Sequence, residues 1–236
     1  MPDELTVCCW KWQPAPGYRS KFDAAAVNTL RAMVARHYRR PHSFVCITDD
    51  ATGIDGDVRV VPIWHDFAQL RGPNGVNCYR RLKAFSTEAA DIIGPRFVSL
   101  DLDAVITADV SPLWDRPEDF VIWGDTARGT PYNGSMFLLR AGTRRQVWEK
   151  FDPASSPARA KALGYIGSDQ AWIGACLGVN ERKWSTADGV YSFRNEINGK
   201  RRDLPPNARV VMFHGRFDPW MPQVQAQHRW IREHYQ

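Results

Sequence analysis

The chain has 236 residues, 44% of them hydrophobic, enough for the core of one large α/β domain, and no apolar run approaches the roughly 20 residues needed to span a bilayer. The net charge of +5, with basic groups at Arg36, Arg39 and Arg40, at Arg80, Arg81 and Lys83, and at Lys200, Arg201 and Arg202, favours anionic partners: nucleotide phosphates, an anionic membrane surface or nucleic acid. Five cysteines without C-x-x-C spacing exclude a zinc site or disulfide framework, and the acidic opening M-P-D-E-L-T is unlike a signal peptide, so a reducing, cytoplasmic setting is expected.

Residues 5–10 read as a first strand and 11–18, with Pro14, Pro16 and Gly17, as a loop. Val27, Leu30, Val34 and Tyr38 recur at helical spacing behind Asp23, a natural N-cap, which predicts a helix over 23–38. A second strand, 43–48, ends in Asp49 and Asp50, where a carboxylate can receive a base or ribose hydroxyl or simply shape an Asp-rich turn. A third strand covers 57–63, and after the loop 65–75 a helix is expected over 77–93, with Arg81 one turn from Asn77 and Phe85 and with Arg80 and Lys83 pointing elsewhere.

Residues 97–106, F-V-S-L-D-L-D-A-V-I, read as a strand buried on both faces that carries Asp101 and Asp103 at its end. Two aspartates two positions apart share one face of an extended chain, and burying both without a counter-ion costs several kcal/mol, so either a divalent cation is their partner or one aspartate caps the next turn and the other is solvated. Oxygen-only ligation that leaves room for diphosphate oxygens suits Mg²⁺ or Mn²⁺ better than Zn²⁺. A turn at 111–114, a strand 120–124 stopping at Asp125, and a strand 133–140 that opens Y-N-G-S follow; the small Gly134 and Ser135 let a ligand approach the backbone.

The remaining pattern is a helix over 143–151, a connection at 153–158, a helix over 167–177 capped by Ser168, a mobile basic loop at 194–207, a strand 208–213 and an amphipathic helix 223–235. Strands alternating with helices mean an α/β fold with a mixed, largely parallel sheet, whose ligands gather at the carboxyl ends of the strands.

Several of these segments together resemble the family-8 retaining glycosyltransferases of the GT-A fold, the class that contains glycogenin and bacterial lipopolysaccharide galactosyltransferases. C-Y-R-R-L-K resembles that family's Tyr-x-Arg-Leu helix, which gives Arg81 the donor contact; the Asp-x-Asp strand with its Pro-Leu-Trp turn gives Asp101 and Asp103 the metal, with Asp101 also at the donor. Y-N-G-S-M-F-L-L-R implies that Asn133 faces the donor sugar, and G-S-D-Q-A-W implies that Asp169 and Gln170 flank the anomeric carbon as the catalytic pair. The last motif departs from the family's His-Phe-x-Gly-x-x-Lys-Pro-Trp: here the chain reads F-H-G-R-F-D-P-W, with His214 displaced by two positions but still a candidate metal ligand, and Asp218 where the diphosphate-binding lysine stands. Arg216 or Lys11 would then supply that charge, and Asp49 completes the donor-binding set.

The resemblance implies one domain over 1–236, with a nucleotide-binding half over 1–110 and a sugar and acceptor half over 111–236. The implied activity is Mn²⁺- or Mg²⁺-dependent transfer of a hexose from a nucleotide diphosphate sugar, a UDP-sugar first, to the hydroxyl of a glycan or lipid-linked acceptor, with retention of configuration. No nucleic-acid signature accompanies the basic clusters, and weak peripheral contact with the inner membrane face is an expectation. Two other readings stay open: a protein of the same fold that binds a nucleotide sugar without turning it over, and a haloacid-dehalogenase-like phosphatase using D-L-D-A-V as nucleophile and general acid.

Overall fold

A computed structural model describes residues 4–13, 22–72, 78–124 and 129–236; the predicted loop beyond residue 13, the start of the helix at Asn77 and the strand end at Asp125 lie outside them. Among the described residues ten strands run in chain order: β1 Leu5–Lys11, β2 His42–Thr48, β3 Arg59–Pro62, β4 Arg96–Leu100, β5 Ala104–Ile106, β6 Phe120–Trp123, β7 Asn133–Arg140, β8 Arg182–Trp184, β9 Val190–Ser192 and β10 Val210–Met212. The α-helices are α1 Ala24–His37, α2 Ala89–Ile92, α3 Ser111–Trp114, α4 Gln146–Glu149, α5 Ser156–Ala162, α6 Asp169–Leu177, α7 Pro222–Gln227 and α8 Trp230–His234.

Seven strands form the central sheet in the order β3-β2-β1-β4-β7-β6-β8, parallel except where β7 pairs antiparallel with β4 and β6. This is the mixed, largely parallel α/β sheet expected. Its inner strands are buried on both faces, so successive residues feed opposite cores: in β1, Leu5, Val7 and Cys9 pack on the α1 side, Cys8 and Trp10 on the other. α1 starts where Asp23 accepts a hydrogen bond from Ala26 N at 3.0 Å, the predicted cap.

The expected continuous strand over 97–106 is instead two strands in two sheets. β4 stays in the central sheet, while β5 joins a three-stranded sheet in the order β5-β10-β9. The chain crosses from one to the other through Asp101 and Asp103, pinned by the buried Leu102 between them and by Asp101 N donating to Ser135 O at 2.9 Å. The crossing is what puts the two carboxylates at the carboxyl end of a central strand.

Other expectations are corrected in detail. The predicted helix over 77–93 is a 3₁₀ segment, Cys78–Phe85, followed by the short α2; Tyr79, Arg80, Arg81, Leu82, Ala84 and Phe85 are all buried, so no solvent face remains for an amphipathic α-helix. The predicted helix over 143–151 shrinks to α4, and the connection at 153–158 leads into α5 with Pro157 in its first turn. The segment 194–207 begins in a π-helical turn, Phe193–Ile197, capped by Ser192. The C-terminal helix divides into α7 and α8 because His228 turns inward, 4% exposed, with its ring 5.0 Å from that of Phe193. Among the described residues no helix is long and apolar enough to cross a membrane.

Candidate active site at the crossing between the sheets

The centre of the site is Arg81, carried by the 3₁₀ segment and 8% exposed in its side chain. Its Nε donates to Asp169 Oδ2 at 2.8 Å and its Nη2 lies 2.7 Å from the same oxygen, while Nη1 reaches Asp101 Oδ1. One guanidinium therefore ties the end of β4 to the first turn of α6. Burial opposes its charge, but Asp101 and Asp169 outweigh that and hold the guanidinium pKa well above its ordinary value.

Gly134 is what allows this close approach. A Cβ there would stand 3.1 Å from Asp169 Oδ2 and 3.2 Å from Arg81 Nη2. Beside it, Asn133 accepts from Ser135 N at 2.9 Å, and the Ser135 side chain hydrogen-bonds Asp101. The Y-N-G-S opening of β7 thus supplies both the space and a donor for the carboxylate.

Acid outweighs base at the crossing. Burial raises the Asp101 carboxyl, with Arg81 and the Ser135 hydrogen bond pulling it down and Asp169 pushing it up. Asp103 is pushed well above the carboxylate range, by burial first and then by Asp101 and Asp218. Asp218 is 2% exposed, so the residue at the expected lysine position adds a negative charge beside Asp103 rather than a positive one. Tyr235, just past α8, is raised by burial and by Asp103, Asp23 and Asp218, which brings the C-terminus to the same cluster. Neither residue was assigned there from sequence; the departure from the lysine motif was the signal for Asp218, and Tyr235 had none.

His214 sits at the end of β10, next to Phe213, whose N–H donates to Asp103 O at 3.1 Å. Its Nε2 lies 2.6 Å from Ser192 Oγ, and its ring meets Trp123 edge-on at 5.7 Å. Among the described residues no three His, Cys, Asp or Glu side chains gather closely enough to chelate an ion by themselves, so His214 is not assembled with Asp101 and Asp103 into a three-ligand group.

Asp169 is buried in the first turn of α6, but Ser168 does not cap the backbone as predicted; its hydroxyl donates to Asp169 Oδ1 at 3.1 Å. Gln170 is partly exposed, and its amide reaches back to Ile166 O at 3.3 Å. Gly167 gives it room: a Cβ there would fall 2.7 Å from Gln170 Cγ, on a backbone with φ of 125°. Cys78 adjoins the pair, but burial lifts its thiol to about 12 and removes it as a nucleophile at neutral pH.

The other expected donor residues lie further along the carboxyl edge. Lys11 is buried and committed to Asp50, donating to its main-chain oxygen at 2.5 Å with the carboxylate at 3.6 Å. Asp49 is exposed and accepts from Gln13 N at 2.9 Å, closing the β1 and β2 ends together. Arg216 is exposed, its guanidinium 4.8 Å from the Phe217 ring centre. Arg80 exchanges hydrogen bonds with Trp64, at 2.5 and 2.6 Å, and Lys83 pairs with Asp66 at 2.9 Å, so Arg81 is the member of that basic trio that faces Asp101.

No family model and no curated protein matches the sequence. Solved structures do. The galactosyltransferase LgtC, crystallised with donor and acceptor sugar analogs, aligns over 98% of this chain and 96% of its own at 14% identity and a TM-score of 0.61. Mouse xyloside xylosyltransferase 1 in its apo form aligns over 90% of this chain and 98% of its own at 12% identity and a TM-score of 0.55. The glycosyltransferase GlyE of Streptococcus pneumoniae TIGR4 aligns over 93% of this chain and 57% of its own at 12% identity and a TM-score of 0.56. At these identities the likeness is one of fold, and the fold is the GT-A glycosyltransferase fold anticipated from the sequence.

Proposed function

We propose that the chain is a glycosyltransferase that moves a hexose from a nucleotide diphosphate sugar, a UDP-sugar first among them, to an acceptor hydroxyl with retention of anomeric configuration. The observation that carries this reading is the Asp101–Arg81–Asp169 bridge at the carboxyl end of β4, in a fold shared with sugar transferases.

The cluster fits a divalent cation. Asp103 is held in a field of Asp101 and Asp218 that a cation would relieve, and the donors are carboxylate oxygens. Asp101 and Asp103 would hold Mn²⁺ or Mg²⁺, with His214 at the margin and the remaining positions left to diphosphate and water oxygens. When bound, the ion supplies neutralisation of the leaving diphosphate.

The chain's own residues do the rest. Arg81 fixes Asp169 beside the sugar subsite and holds its charge, and Asn133 and Gly134 line the approach. Gln170 is a neutral amide, too weak a base to drive inversion, so it stabilises positive charge developing at C1 while the departing diphosphate takes the acceptor's proton on the same face. Lys11 and Asp49 belong to the donor's nucleotide end, with residues 1–110 forming that half and 111–236 the sugar and acceptor half, from which Arg216 would reach the diphosphate. The acceptor class is a glycan or lipid-linked glycan.

Calorimetry with UDP and MnCl₂ tests the donor site: wild type binds UDP only with the metal, and Asp101→Asn and Asp103→Asn each lose that metal-dependent binding while remaining folded. Equal binding by all three proteins removes the metal assignment. Gln170→Ala loses turnover with donor affinity kept, and an α-linked donor gives an α-linked product by NMR; a β-linked product rules the mechanism out.

A further inference from the structure

The strongest feature outside the crossing lies on the opposite edge of the sheet. α1 returns the chain from the carboxyl end of β1 to the amino end of β2, so its last turn lies about 20 Å, the length of a seven-residue strand, from the candidate active site. A cavity of about 690 Å³ opens there, lined by Arg36, His37, Tyr38, Arg39, Arg40 and His42 among others. Tyr38 is buried and forms its floor, while the three arginines are exposed around it.

Basic residues at a helix C-terminus ordinarily complement the dipole and the last carbonyls. These do not perform that capping. Val34 O accepts from Tyr38 N at 2.8 Å and His37 O from Val110 N at 3.0 Å. Arg36 donates instead to His234 O at 2.7 Å, Arg40 pairs with Asp115 at 2.6 Å, and Arg39 makes no hydrogen bond or ion pair among the described residues. Asp115 is already shared with the Tyr38 hydroxyl at 2.8 Å. Among the described residues the other nearby carboxylates include Asp109, which faces His37 and is engaged by Ser111, Glu233, which faces His234, and Glu4, which accepts from Ser43 beside His42.

The local field is positive in spite of the helix end. The His37 imidazole is lowered, by burial first and then by Arg36 and His234, with Arg39 adding and Asp109 opposing. A helix C-terminus alone would raise it.

We propose that this cavity is a binding site for a phosphate group, with Arg36 and Arg39 as its principal donors and Arg40, His37 and His42 around them. Guanidinium forks match phosphate oxygens bidentately, and the open, shallow depression leaves a terminal phosphate within reach of more than one of them. The phosphate belongs either to a soluble phosphorylated ligand or to an anionic lipid headgroup.

The test uses the full chain, followed by amide NMR during titration with inorganic phosphate at ionic strength matched with chloride. Co-sedimentation with vesicles of phosphatidylglycerol and phosphatidylcholine, against phosphatidylcholine alone, forms the second arm. Phosphate-specific shifts at residues 36–42 that weaken on the order of tenfold in Arg36→Gln/Arg39→Gln support the site. Shifts without vesicle binding assign it to a soluble ligand, and vesicle binding lost in the same variant assigns it to a headgroup. Arg39→Gln alone breaks no bond among the described residues and serves as the variant whose folding is not at stake. Shifts equal to those with chloride, or unchanged in both variants, overturn the proposal.

Discussion

Replacing Arg81 with methionine keeps an unbranched side chain of similar reach and removes the one cation shared by Asp101 and Asp169. Asp169 has a side chain 4% exposed and, among the described residues, retains the Ser168 hydroxyl at 3.1 Å as its side-chain donor, so most of its compensation is lost. Asp101 is 25% exposed, and water screens part of its loss. Breaking a buried pair by deleting one partner costs about 3–5 kcal/mol, and the exposure of Asp101 places this case in the lower part of that range, about 3–4 kcal/mol. At about 2–4 °C per kcal/mol for a chain of this size, the melting temperature falls by roughly 6–16 °C. Urea unfolding followed by the fluorescence of the ten tryptophans measures it directly. The double variant Arg81→Met/Asp169→Asn removes the stranded charge and recovers about 1–2 kcal/mol, a coupling that two independent sites do not have. A single variant within about 1 kcal/mol of wild type, or additive effects in the double, refutes the bridge as the organising contact.

Asp101 and Asp103 both carry raised folded-state pKa values, so the native chain keeps protons that the unfolded chain has released. Their contribution is favourable at low pH and is lost as pH rises, so stability of the metal-free protein falls as pH climbs from the ordinary carboxylate range toward neutrality. Glu118, held at about 2 by its Arg116 hydrogen bond, acts in the opposite sense, but only in strong acid. Mn²⁺ displaces those protons, so it raises the melting temperature more at the upper end of that window than at the lower; equal shifts at both ends contradict the carboxylate assignment. Gly134→Ala forces the Arg81–Asp169 pair apart by a few tenths of an ångström and costs about 1–3 kcal/mol, with turnover falling more than donor binding; a variant with wild-type stability and rate shows that the close approach is dispensable. The partly buried Cys78 thiol stays largely unmodified by iodoacetamide in the native state at neutral pH, read by mass spectrometry, and fast labelling shows that its thiol is not held protonated.

The pieces of the site that could be read in sequence were those whose chemistry is local. Asp23 declared its cap, the bounds of β7 followed from an unbroken apolar run, and Asp101 stood at the end of a strand too apolar to be anything but central. Helical spacing and the family resemblance singled out Arg81 from its neighbours, and it is Arg81 that meets Asp101 and Asp169. What failed was decided by distant packing. A residue pair such as Asp101 and Asp103 cannot announce that the chain changes sheets between them, because both halves are equally apolar. The 3₁₀ form of Cys78–Phe85 and the break at His228 arise from what surrounds them, and the three-residue strands β8 and β9 are too short to establish a period. The Tyr235 hydroxyl reaches the acidic cluster through the fold of α7 and α8, which no motif encodes.

The most direct measurement is release of nucleotide from a panel of nucleotide sugars incubated with the purified chain and Mn²⁺, with and without simple sugar acceptors. The account predicts slow, Mn²⁺-dependent loss of UDP from a UDP-hexose, accelerated by an acceptor and absent in Asp101→Asn. Tight donor binding with no turnover in any combination, or release of phosphate from sugar phosphates in its place, contradicts it.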